Sequence, residues 1–197
     1  MKMSEREREK ILICVTGHPG SGKSVFSSVG RKLGLKVFTM GDVVREEAKQ
    51  RYGIVDKFTL GKVARELRDE YGDDAIAIIL SRKISKIRDK VVIIDGIRSM
   101  DEIKIFSKIG KVYIIAILAK KITRFHRLVN RRREDDVKTY EDFVLRELRE
   151  NNFGILDVIE NSDVYILNEN ISLNTFIDIS HKLFKELLDE IYEKEKT

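Results

Sequence analysis

Cysteine and proline each occur once in the 197-residue chain, and neither sign of charge dominates it. A single cysteine cannot build a disulfide framework. Cys14 sits inside an apolar run and reads as a buried hydrophobe of a cytosolic protein. Long hydrophobic runs are missing too: no stretch approaches the roughly 18 apolar residues of a membrane span. The opening segment, Met1–Lys10, carries both charge signs and leads into only five apolar residues before Thr16 and Gly17. That is too few for the core of a signal peptide. A soluble, cytoplasmic protein with no membrane partner is therefore expected. Linkers rich in Pro, Gly or Ser, low-complexity tracts and internal repeats are also absent, so residues 1–197 are expected to form one domain.

Charge is abundant but nearly balanced, with 38 Lys and Arg against 33 Asp and Glu, a net of +5. That surplus suits polyanions such as nucleotides or RNA without choosing between them. Hydrophobic residues make up 42% of the chain, enough for one sizeable core. Five short apolar runs read as buried strands: Ile11–Val15, Lys36–Thr39, Val91–Asp95, Lys111–Leu118 and Val164–Leu167. None alternates strictly, which fits a parallel sheet covered on both faces. The intervals are helical in period. Ser99 with Glu102, and Thr139 with Asp142, have the spacing of capping boxes. Residues 73–87 place Ala75, Ile76, Ile79, Leu80, Ile84 and Ile87 on one broad face. Near the end, Leu173, Phe176, Ile177, Phe184, Leu187, Leu188 and Ile191 line the apolar side of a terminal helix. Strand–helix alternation throughout predicts βαβ units and a three-layer α/β fold.

One segment carries chemistry outright. Gly17, His18, Pro19, Gly20, Ser21, Gly22, Lys23 and Ser24 satisfy G-x-x-x-x-G-K-[ST], directly after a strand-like run and before a helical one. Its glycines let backbone N–H groups turn inward around a phosphate. Lys23 supplies a point charge to the β- and γ-phosphates, and Ser24 offers a hydroxyl to Mg²⁺. The competing reading is a glycine-rich turn without a ligand. Val91–Asp95 supports the phosphate reading, because an apolar strand ending in a carboxylate suits a residue that holds Mg²⁺ through water. ATP and Mg²⁺ are the expected donor and cofactor.

Four further segments resemble known kinases. Met40, Gly41, Asp42, Val43, Val44 and Arg45 are similar to the T-G-D-x-(L/V)-R segment with which adenylate kinases bind their acceptor. Asp95, Gly96, Ile97 and Arg98 resemble the D-G-F-P-R segment of the same enzymes, one residue shorter. Arg133, Asp135, Asp136, Glu141 and Arg146 resemble their R-x-D-D…E…R stretch, with two extra residues before the last arginine. Asp163 to Asn170 are similar to the A-D-x-(V/I)-x-N-x-G tail of dephospho-CoA kinases. In combination the chain resembles an archaeal family of adenylate-kinase-related P-loop proteins. The resemblance implies a P-loop nucleoside triphosphate hydrolase fold with parallel strand order 2-3-1-4-5, an acceptor-binding helical segment at about 41–90 and a short helical lid at about 120–138. It also implies that Arg45 and Arg98 clamp the acceptor's phosphate and that Asn168 lies near the donor's base. Ordinary readings remain for each: Arg45 beside Glu46 and Glu47, Arg98 paired with Asp101 or Glu102, Asn168 as a turn residue.

The stretch from Arg124 to Arg133 is the most basic in the chain. Arginines there would close over the triphosphate, where one can contribute roughly 10³–10⁵ in rate. Periodicity puts Arg124, Arg127 and Arg131 on one side; Arg127 and Arg131 are the expected catalytic pair, with Arg133 as a further candidate. A solvated face paired with Glu134–Asp136, or an RNA-contacting patch, would use the same residues. Asp42 has two readings. Facing an anionic phosphate acceptor it would only position groups; facing a hydroxyl it would accept the proton. The three-residue step from Asp42 to Arg45 matches the adenylate-kinase pattern and favours the phosphate. The sequence therefore predicts an ATP- and Mg²⁺-dependent phosphotransferase acting on a small nucleotide-like acceptor. An ATPase or switch working with RNA or a protein, and a non-catalytic nucleotide sensor, stand behind it.

Overall fold

Five β-branched, apolar runs pair edge to edge. The structure, a computed structural model, describes residues 10–72, 74–131 and 137–193. The strands are β1 (Lys10–Thr16), β2 (Lys36–Thr39), β3 (Val91–Ile97), β4 (Gly110–Leu118) and β5 (Val164–Leu167). They lie in the order β2-β3-β1-β4-β5, every neighbouring pair parallel. This is the expected order, and the strand bounds differ from expectation by two residues at most.

Helices fill the crossovers. The β1–β2 connection holds α1 (Lys23–Lys32), and the long β2–β3 connection holds α2 (Met40–Tyr52), α3 (Lys57–Tyr71) and α4 (Ala75–Ile84). After β3 comes α5 (Met100–Ser107); between β4 and β5 lie α6 (Lys121–Arg131), α7 (Tyr140–Asn152) and α8 (Ile155–Glu160); α9 (Leu173–Glu193) closes the described chain. None of the described helices is long and apolar enough to cross a membrane.

Successive residues of β1 face opposite layers, as strand geometry requires. Leu12 and Cys14 join Val92, Ile94, Met40, Leu67, Leu80 and Phe106 on one face of the sheet. Ile11, Ile13 and Val15 join Phe26 of α1 and Phe176 and Phe184 of α9 on the other. Cys14 is fully buried, and its surroundings push the thiol well above its ordinary range, so it is an inert hydrophobe. A third, smaller cluster of Leu128, Val137 and Phe143 packs Phe125 of α6 against α7, with ring centroids of Phe125 and Phe143 5.5 Å apart.

Local signals hold with small revisions. Ser99 and Glu102 form a full capping box on α5, and Thr139 caps α7 by accepting from the Asp142 N–H. The predicted helix over 73–87 is shorter, Ala75–Ile84; Asp73 lies outside the described residues. Leu173 does not join the apolar side of α9. It is the first residue of that helix and is 62% exposed.

The stacking of Phe26 on Phe184, with centroids 4.4 Å apart, joins α1 to α9 behind the phosphate loop. Phe184→Ala is predicted to cost about 3–5 kcal/mol of unfolding free energy, read from urea denaturation of the two proteins.

Candidate nucleotide-binding site

Strand β1 is central in the sheet, so its C-terminal end delivers the glycine-rich loop to the middle of the molecule. The turn is steep. Gly17 has φ 133°, and a Cβ there would lie 2.2 Å from the Ile117 carbonyl oxygen, so only glycine lets the loop pass β4. The loop then enters α1 at Lys23. That helix has no side-chain cap and no acidic residue in its first turn, so its positive end faces the loop uncompensated. Lys23 Nζ donates to the carbonyls of Gly17 (2.5 Å) and His18 (3.2 Å). Burial draws the Lys23 ammonium down to about 8, against the opposing pull of Asp95.

Asp95 stands across the cavity. It is buried and accepts from the Ser27 hydroxyl at 3.0 Å, and burial raises its pKa despite Lys23. Strand β3 does not stop at Asp95 as expected. Its register with β1 passes from Val15 opposite Asp95 to Thr16 opposite Ile97, leaving Gly96 as a bulge at φ 99°. The bulge lets one strand place Asp95 and Arg98 on the same cavity. Ser24 and Asp95 both line that cavity, and among the described residues no three His, Cys, Asp or Glu converge. A divalent ion here would take most ligands from phosphate and water, which fits Mg²⁺ rather than an all-protein cage.

The arginines on α6 divide. Arg124 is buried and makes a bidentate pair with Glu147 at 2.5 and 2.6 Å, while its Nε donates to Ala119 O and its Nη1 approaches Pro19 O at 3.5 Å. It clamps the loop to α6 and α7 instead of joining Arg127 and Arg131 on one open side. Arg127 donates to the Asn168 carbonyl at 3.1 Å and, with Arg131, lines the cavity. Arg133, Asp135 and Asp136 lie outside the described residues. Asn168 is buried, and its amide donates to the Ser21 carbonyl at 2.8 Å. In this position it braces the loop from behind. His18 is tied to Asn151 of α7 at 2.9 Å.

A single cavity of about 310 Å³ runs from Gly17, Gly20 and Lys23 to Arg45, Arg98 and Arg146. Arg98 neither salt-bridges to Asp101 nor turns its side chain to Glu102. Its Nε donates to Glu150 at 2.6 Å, while its backbone N–H donates to Glu102. Asp42 is half-exposed beside the cavity, within electrostatic reach of Asp95, and pairs with Arg45 at 2.5 Å. Sequence reasoning missed Glu150 and Thr39 on the wall and assigned Arg146 no site role. One signal was available: Arg146 and Glu150 are four residues apart on one helix and so share a face.

Two outcomes follow from this geometry. Glu147→Ala strands the Arg124 guanidinium in the interior, which is predicted to cost about 3–5 kcal/mol by urea denaturation. With metal-free nucleotide, a triphosphate beside Lys23 restores its ordinary pKa of roughly 10.4, so binding takes up a proton between about pH 8 and pH 10. Affinity should therefore be flat below the Lys23 value of about 8 and fall above it, measured by titration calorimetry in buffers of different ionisation heat.

Comparison with known proteins agrees with this arrangement. A family model described as an AAA domain matches residues 16–144. A UPF0200 protein from Hyperthermus butylicus is 41% identical over 178 residues, 90% of this chain and 95% of that protein. Among solved structures, TT1252 from Thermus thermophilus superposes with a TM-score of 0.62 at 17% identity, covering 92% of this chain and 98% of that one. A shikimate kinase from Bacteroides thetaiotaomicron gives 0.56 at 16% identity, covering 91% and 98%. At these identities the two structures speak to fold alone, a P-loop kinase-like sheet. With the loop, the sheet order and a relative alike over nearly its whole length, the chain belongs to the UPF0200 family of archaeal proteins.

Proposed function

We propose that the protein is an ATP- and Mg²⁺-dependent phosphotransferase that moves the γ-phosphate to a small nucleotide or nucleotide-like acceptor. A nucleoside monophosphate is favoured over a hydroxyl acceptor such as dephospho-CoA. The observation that carries this reading is the continuity of the cavity: the loop that would hold the triphosphate opens directly onto Arg45, Arg98 and Arg146. A hydrolase needs room for one water beyond the γ-phosphate. A second cationic end of this size instead suits another anion.

Each residue has a defined task in transfer. The loop N–H groups and Lys23 hold the β- and γ-phosphates, and Arg127 and Arg131 neutralise charge that develops on the moving group. Ser24 and Asp95 would hold Mg²⁺, which would neutralise charge on the phosphates as transfer proceeds. Arg45 and Arg98 orient the acceptor in line with the γ-phosphate. A phosphate acceptor is already anionic and needs no base. The Asp42 carboxylate is engaged by Arg45 at 2.5 Å, which supports that acceptor over a hydroxyl. The inward commitment of Arg124 and Arg127 weighs against an RNA-contacting face, and a sensor would not need the second cationic end.

Acceptor screening by ³¹P NMR tests the proposal. ATP and Mg²⁺ with a panel of nucleoside monophosphates and dephospho-CoA should give acceptor-dependent ADP. Lys23→Ala should reduce the rate by about 10³, and Arg98→Lys should raise the acceptor KM about tenfold while sparing the donor KM. ADP formation indifferent to every acceptor would contradict it.

A further inference from the structure

Among the described residues two carboxylates line the cavity, Asp95 and Glu150, and the chemistry above uses only the first. Glu150 is on α7 with 8% of its side chain exposed. Its Oε2 accepts from Arg98 Nε at 2.6 Å. At its other end Arg98 is held by its backbone, whose N–H donates to Glu102 at 2.7 Å. One third of the Arg98 side chain remains exposed, and neither terminal nitrogen donates to a described residue. A guanidinium engaged at Nε keeps its end-on face, the Nη1 and Nη2 pair, for a second oxyanion.

The helix that carries Glu150 is itself held against the donor loop. Glu147 pairs with Arg124, whose Nη1 reaches Pro19 O, and Asn151 meets His18. Three positions within five residues of α7 therefore set the distance between the loop and Arg98. Burial would raise the Glu150 pKa, but Arg98, Lys23 and Arg146 outweigh it and keep the carboxylate ionised.

We propose that Glu150 is a positioning residue: it fixes the plane of the Arg98 guanidinium so that the two terminal nitrogens form a fork for the acceptor's phosphate monoester. This rests on the phosphotransferase reading, and it assigns to α7 the registration of acceptor against donor. Removing the carboxylate frees the guanidinium to rotate, and the fork is lost although the arginine remains.

The test uses the full chain with a non-hydrolysable ATP analogue and Mg²⁺ filling the loop, and methyl phosphate as the probe. Wild type should bind methyl phosphate, and Arg98→Lys should weaken that binding about tenfold. Glu150→Gln should weaken it by a similar factor, about tenfold, with the analogue's affinity within about twofold of wild type. The ¹⁵N-resolved Nε–H signal of Arg98 should be sharp in wild type and broadened in Glu150→Gln. Should Glu150→Gln not fold, Glu150→Asp, which keeps the charge one methylene shorter, should show the same weakening. A folded Glu150 variant with unchanged methyl phosphate affinity, beside a weakened Arg98→Lys, would overturn the positioning role and leave the phosphotransferase reading standing. No methyl phosphate binding in wild type, or none lost in Arg98→Lys, would overturn both.

Discussion

Concentrated positive charge at the C-terminal ends of parallel strands is the constraint around which this molecule is arranged. The end of β1 delivers backbone N–H groups, the open terminus of α1 and the Lys23 ammonium to one point. Charge gathered in a partly dry place is costly without a partner. The loop meets that cost by folding Lys23 onto its own carbonyls, with Asp95 across the cavity. Three contacts then hold its shape: Asn168 to Ser21, Arg124 to Pro19 and Asn151 to His18.

The same element, α7, reaches both ends of the cavity. Glu147 and Asn151 hold groups that touch the loop, and Glu150 holds the arginine assigned to the acceptor. Phosphoryl transfer leaves little covalent chemistry to a protein, so catalysis depends on distance and direction between two anions. A rigid helix clamped at both sites is a direct way to set them. The glycine bulge at Gly96 serves the same end from β3, aiming Asp95 and Arg98 into a common space.

Much of this is legible in the sequence. The phosphate loop is a contiguous pattern whose context, strand before and helix after, is also local. The five strands are continuous apolar runs because both sheet faces are covered, and that composition leaves little ambiguity. What could not be read is non-local. Arg124 shares helical period with Arg127 and Arg131, yet its partner is Glu147, 23 positions on, and burial decides its fate. Asn168 lies in a family-like tail, and the partner of its amide, Ser21, is 147 residues away. The Arg98–Glu150 pair spans 52 positions. Periodicity identifies which residues share a face; it carries no information about what that face meets. Asp42 shows the converse: a motif residue in the expected place whose side chain pairs with its near neighbour Arg45.

The central claim is that one cavity holds a donor triphosphate and a second phosphate in line with it. Adenosine polyphosphates of increasing length test it directly by calorimetry in the presence of Mg²⁺. Affinity should climb from the triphosphate to the pentaphosphate by about tenfold or more as the tail reaches Arg98 and Arg45, and Arg98→Ala should abolish the gain. An affinity that levels off at the triphosphate in the wild-type protein would contradict the account.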